Sequence, residues 1–167
     1  MNRTGKIRFR FLALLLLCAG LCHSRWEGPW WFWGCALASD NEKYLQEWVS
    51  TDHLTKVSAP RMDHTKVGHP LHISFITSFF TVINDSLDVS VDVRIVQPDG
   101  STMMDENNWA HLGGGIETNQ TFVIFPRVLD LTFESSDPKG TYQIISVFRD
   151  LSSGRRRVTD TLAIRLF

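Results

Sequence analysis

Residues Leu87 to Ile95 alternate without a break: Leu87, Val89, Val91, Val93 and Ile95 are apolar, and Asp88, Ser90, Asp92 and Arg94 between them are polar. A period of two cannot place one buried face on a helix, which repeats about every 3.6 residues. It describes a β-strand with a dry face and a wet face, so this segment belongs to a sheet that packs on one side. Pro98-Asp99-Gly100 closes the run as a tight turn, with Pro presetting φ and Gly supplying a positive φ.

The chain around this strand punctuates itself in the same way. HPLHISFITSFFTVIN, from His69 to Asn84, puts Leu71, Ile73 and Phe75 on one face and ends in the turn Asn84-Asp85-Ser86. Thr121 to Phe125 and Val128 to Ser135 read as two further strands, with Pro126 between them marking a bend or an edge. Gly140 to Asp150 and Val158 to Phe167 form a final hairpin turned at Ser152-Ser153-Gly154. The polar stretch from Met103 to Gln120, which holds Trp109 and the run Gly113-Gly114-Gly115, reads as a flexible loop crossing the end of the fold. About seven short strands without crossover helices predict an all-β antiparallel sandwich.

One stretch makes the expectation more specific. Asp137-Pro138-Lys139-Gly140-Thr141-Tyr142 places a turn directly before an apolar strand, with a tyrosine among the first residues of that strand. This resembles the tyrosine corner of immunoglobulin-like sandwiches, in which the hydroxyl bonds back to the backbone of the preceding turn. Two residues on, where antibody domains carry a cysteine, this chain has Ile144, and Val91 and Val93 stand where those domains place a core tryptophan. The resemblance is therefore to the broad immunoglobulin-like class, including bacterial-envelope and macroglobulin-type modules, over roughly residues 66–167. It implies a fold, with Asp137, Gly140 and Tyr142 as the structural corner, and implies no particular chemistry.

Upstream the composition changes. Arg3, Lys6, Arg8 and Arg10 precede FLALLLLCAGLC, an apolar block of twelve residues, shorter than the roughly 20 that span a bilayer as a helix. A basic start followed by a short apolar core is a secretory signal. Ala36-Leu37-Ala38 is an A-x-A cleavage motif, and a cut there keeps the tract WEGPWWFWGCALA off the surface of the mature protein. The expected division is a long leader over 1–38, a helical arm and linker over 39–65, and the sandwich over 66–167. The arm starts at a capping box, Ser39 to Glu42, after which Tyr44, Leu45, Trp48 and Val49 share one helical face.

All three cysteines, Cys18, Cys22 and Cys35, fall in the leader, so a chain cut after Ala38 has no disulfide and no cysteine nucleophile. Export without disulfides suits a bacterial periplasm or secretion from a bacterium. From Asp40 onward there are 12 Lys and Arg against 17 Asp and Glu, a net charge of −5, which argues against a nucleic-acid partner. Membrane contact is expected only through an uncleaved leader.

Three groups of residues bear on chemistry. His111-Leu112-Gly113-Gly114-Gly115 is similar to an esterase oxyanion loop, but no G-x-S-x-G nucleophile elbow accompanies it. Asp88 and Asp92 share a strand face, where exposed acids usually serve solubility. His64, His69 and His72, with Met62 nearby, would suit copper or zinc, yet no two lie at the i, i+2 spacing that puts ligands on one strand face. The reading is a non-catalytic binding or structural module of the bacterial envelope, without cofactor or metal, whose partner is an envelope protein or polymer. Trp109, Asn108 and His111 are its candidate binding residues, with Trp109 either a recognition anchor or a lid over the core. A periplasmic copper-handling protein using His64, His69 and His72, and a small hydrolase, are the alternatives.

Overall fold

The computed structural model describes residues 32–41, 62–116, 122–154 and 156–167. Among these lie nine strands and no helix: β1 (Trp33–Ser39), β2 (His64–Thr65), β3 (Pro70–Ser78), β4 (Ser86–Val96), β5 (Thr102–Gly115), β6 (Phe122–Ile124), β7 (Leu129–Thr132), β8 (Gly140–Asp150) and β9 (Arg156–Leu166). They form two sheets. The larger runs β2-β9-β8-β4-β5; in the smaller, β3 is central, with β1 on one edge and β6 and β7 in succession along the other. Every pairing is antiparallel except that of β2 with β9.

The core between the sheets follows from the alternation. Leu87, Val89, Val91, Val93 and Ile95 of β4 face it beside Tyr142, Ile144 and Phe148 of β8 and Val158, Leu162, Ile164 and Leu166 of β9. The smaller sheet answers with Leu71, Ile73 and Phe75 of β3, Ala36 and Ala38 of β1, and Val123, Phe125, Leu129 and Leu131 from β6, β7 and the chain between them. The all-β, two-sheet architecture expected from the periodicity is the one observed.

Two boundaries differ from the sequence reading. Residues 33–39, assigned above to the leader, are an edge strand of the sandwich paired with β3 from Trp33↔Ser78 to Ser39↔His72. Every residue of β1 is buried. Its core side carries only Gly34, Ala36 and Ala38, because a Cβ on Gly34 would lie 2.6 Å from Cδ2 of the Phe148 ring. The other face carries Trp33, Cys35 and Leu37, which cluster with Ile76, Phe122 and Ile124 on the far side of the same sheet. With both faces apolar, the alternation is invisible to a polar/apolar pattern, and the segment reads as leader. The sandwich thus begins upstream of residue 66, and β2 adds a short strand from within the linker.

The stretch from Met103 to Gln120 is the second difference. Through Gly115 it is strand β5, the outer edge of the larger sheet, not a loop. Apart from Trp109 and Ala110 its residues are at least partly exposed, so the hydrophobic alternation that marks β4 is missing. The expected arm helix over Tyr44 to Val49 lies outside the described residues, as does Glu42 of its capping box; the Ser39 hydroxyl accepts from the Asn41 amide at 3.0 Å and donates to the Asn41 carbonyl at 2.9 Å.

Candidate functional site

The outer face of the larger sheet gathers most of the polar chemistry. Between Val91 and Val93 the β4–β5 pairing slips, and β5 accommodates the extra residues in a bulge with Asn108 at φ 54°. An asparagine tolerates this left-handed conformation better than most residues. The bulge is held by Asp92, whose Oδ1 accepts the Asn108 amide at 2.8 Å while Oδ2 pairs with Arg149 of β8. Beyond the bulge, His111 stands opposite Ser90, which in turn stands opposite Arg149. The imidazole Nε2 of His111 lies 2.7 Å from Oδ1 of Asp88, each side chain about half exposed (49% and 48%). Arg94 meets Asp105 at 3.3 Å farther along the same face. The acids that share one strand face are thus each matched to a base or an amide on a neighbouring strand.

This face brings Asn108 and His111 together but separates them from Trp109. The indole is only 9% exposed and belongs to the core. The guanidinium of Arg127, from the connection between β6 and β7, lies 3.5 Å from the centre of the ring and donates to the Trp109 carbonyl at 2.7 Å. The pair closes the side of the sandwich between β5 and the smaller sheet. Trp109 is therefore not a solvent-facing anchor, and its Nε1 is buried without a hydrogen-bond partner.

Ser90, His111 and Asp88 make a serine, a histidine and a carboxylate on one sheet face. No hydrogen bond joins Ser90 to His111, and Ser90 is 3% exposed beneath its neighbours. A nucleophile needs its oxygen reachable by substrate and coupled to the base, so the grouping as it stands positions charges.

The turn before β8 is tied to the first residues of that strand. The Tyr142 hydroxyl donates to the Pro138 carbonyl at 2.9 Å, and its ring packs on Phe133 with centroids 4.5 Å apart. Asp137 accepts the Glu134 amide at 2.7 Å, which tightens the turn. Gly140, at φ 139°, rests against Pro98, so the Pro98-Asp99-Gly100 turn and the corner brace each other at one end of the sandwich. Burial raises the Tyr142 pKa, and the negative charges of Asp137 and Asp99 add to the shift.

The histidines proposed for metal do not converge. His64 bonds Asp63 at 2.7 Å and meets the ring of Phe167 edge-on, at the rim of the larger sheet. Its hydrogen bond holds the Asp63 carboxyl below the usual carboxylate range. His72 pairs with Asp130 across β3 and β7 at 2.6 Å, and His69 sits in the turn before β3. Among the described residues no three His, Cys, Asp or Glu side chains are placed to share a metal ion.

Two buried carboxylates escaped the sequence reading. Asp150, 0% exposed, takes the Thr81 amide at 2.8 Å, the Ser153 amide at 3.1 Å and the guanidinium of Arg156. Arg156 also reaches the Thr81 hydroxyl. Arg156 is thus tied into the fold through Asp150 and Thr81. Asp160, 2% exposed on the core side of β9, accepts the Ala36 amide of β1 at 2.9 Å. The one sequence signal for it is that Asp160 interrupts the apolar inner row Val158, Leu162, Ile164, Leu166.

The chain matches no family model and no curated protein. Among solved structures it is similar to a family 123 glycoside hydrolase from Clostridium perfringens, studied for glycolipid glycan hydrolysis. There the TM-score is 0.45 at 10% identity, covering 81% of this chain and 27% of that one. It is also similar to a Niemann-Pick type C2 protein from the Japanese carpenter ant, with a TM-score of 0.39 at 9% identity over 85% of this chain and 96% of that one. This chain thus spans about a quarter of the hydrolase and nearly all of the second protein.

Proposed function

We propose that this chain is an exported, non-catalytic module of the immunoglobulin-like type, which binds or bridges another component of a bacterial envelope. The immunoglobulin-like reading is supported by the strand order, with β4 beside β8 in one sheet and β3 beside β6 and β7 in the other. The parallel docking of β2 on β9 and the Tyr142 corner support it further. Export is supported by the basic and apolar start of the sequence.

The observation that carries the binding reading is the outer face of the larger sheet. Asp88, Asp92, Arg94, Arg149 and His111 are fixed there in cross-strand pairs on strands buried beneath. A rigid, flat face of mixed charge loses little side-chain freedom when a macromolecule settles on it, and its charge order sets the partner's orientation. Asn108 and His111 lie at the accessible end of this face, beside the open edge of β5.

The test is capture of envelope components by the purified exported protein and by its His111→Glu variant. Loss of a captured component with an unchanged melting temperature supports the face as the binding surface. Equal capture by both proteins removes it. Labelling by a fluorophosphonate that disappears in Ser90→Ala would replace the binding reading with a hydrolase.

A further inference from the structure

We propose that the slot occupied by β1 is a strand-acceptor groove. The unprocessed chain fills it with its own residues 33–39. The exported chain, cut after Ala38, offers it to an extended segment of a partner protein with small residues at every second position. The proposal rests on the export reading above and names the binding site that export would open.

The strand and the cleavage motif are the same residues. Ala36 and Ala38 are the last two core-facing positions of β1, and Ser39 is its final residue. A cut after Ala38 releases Trp33 to Ala38 and leaves only Ser39 of β1, paired with His72 and bonded locally to Asn41. The remaining strands keep both sheets, and β2 still closes the chain's start against β9. What is lost is one edge of the smaller sheet.

That edge cannot rest empty without cost. Seven residues of β3, from His72 to Ser78, pair with β1. Other groups bond its backbone too: the Asp160 carboxylate accepts from Ala36, the Thr77 hydroxyl donates to the Trp33 carbonyl at 2.7 Å, and the Met62 amide donates to the Ala38 carbonyl at 3.0 Å. The Asp160 and Thr77 side chains are essentially buried, at 2% and 0% exposure. Removing β1 breaks these bonds, opens the β3 edge from His72 to Ser78, and uncovers Phe148 on one side and Ile76 on the other. An open sheet edge favours whatever backbone restores its pairing.

The groove is selective about what does so. The position of Gly34 admits no side chain, because the Phe148 ring fills the space. Ala36 and Ala38 are 2% and 0% exposed within the core, which leaves room for little more than a methyl group. The alternate positions, Trp33, Cys35 and Leu37, lie with Ile76, Phe122 and Ile124 and take apolar side chains. The occupant is thus a strand of the pattern apolar-Gly-apolar-small-apolar-small, bound through its backbone and sorted by its side chains, as in strand addition generally.

The test starts with the protein from the exported fraction, whose N-terminus should be Ser39. This protein is titrated with a fluorescent peptide of residues 32–39 and with the same peptide carrying Gly34→Leu. The parent peptide should bind saturably and one to one. The Gly34→Leu peptide should bind about tenfold more weakly or worse, a factor equal to roughly 1.4 kcal/mol. The uncut chain, with β1 in place, should bind neither. An exported protein that begins upstream of Trp33, equal binding of the two peptides, or equal binding to the uncut chain each overturns the groove while leaving export intact. Absence of export overturns the export reading alone. The groove is then decided in the uncut chain, where Gly34→Leu should free the slot and let the parent peptide bind; no binding there ends the proposal.

Discussion

Tyr142 ties the corner to the core through one hydroxyl, and its loss has a defined size. Tyr142→Phe removes the bond to Pro138 and leaves that carbonyl less well satisfied, a cost of about 1–3 kcal/mol in urea unfolding with matched m-values. The same hydroxyl sets an alkaline limit. Because the folded state raises its pKa, its contribution is fully present below the ordinary tyrosine value of about 10 and disappears as pH rises through the folded value. The urea midpoint should therefore fall on the alkaline side more steeply in the parent than in Tyr142→Phe; identical slopes would mean that the hydroxyl is not held protonated. Trp109 gives the second test at this scale. Buried against Arg127, it should cost about 3–5 kcal/mol as Trp109→Ala, read from thermal or urea melting. A variant as stable as the parent would return the indole to the role of a surface anchor.

Between strands, the strongest tie is Asp150 with Arg156 and Thr81, which fastens the β8–β9 hairpin to the chain leaving β3. Arg156→Met strands a buried carboxylate, so unfolding should become easier by about 3–5 kcal/mol, while Arg157→Met, on a more exposed neighbour, should change little. Equal effects of the two substitutions would show that the pair is solvated. The same elements show what can be read from sequence. β4, β8 and β9 were legible because each has one dry face and one wet face, so their residues alternate. β1 was not, because Trp33, Cys35 and Leu37 are as buried as Gly34, Ala36 and Ala38. β5 was not for the opposite reason: apart from Trp109 and Ala110 its residues are at least partly exposed. Of the site, Asn108 and His111 were found from polar character in an unusual stretch. Their partners Asp92, Asp88 and Arg149 come from other strands, and only the register of the sheet brings them together.

For the molecule as a whole, the position of β1 makes the N-terminal boundary a stability question. A chain beginning at Arg25 retains β1 and should melt above one beginning at Ser39, since the latter gives up the burial of Trp33, Leu37 and Cys35 at about 25 cal/mol per Å² of apolar surface. Equal melting temperatures would mean that β1 contributes nothing to the fold. The order of the larger sheet sets a different kind of limit. β9 follows the other described strands in sequence, yet it lies inside the sheet, between β2 and β8. The row Val158, Leu162, Ile164 and Leu166 and the docking site for β2 therefore do not exist until the final eleven-residue strand is available. Closure of such long-range pairings is slow in any case. In a chain made from its N-terminus, β4 and β8 can therefore pair while the edge of β8 that β9 covers is still open. β2 and β8 each hold an unsatisfied edge until β9 inserts between them, so the larger sheet is completed from its interior and not from its rim.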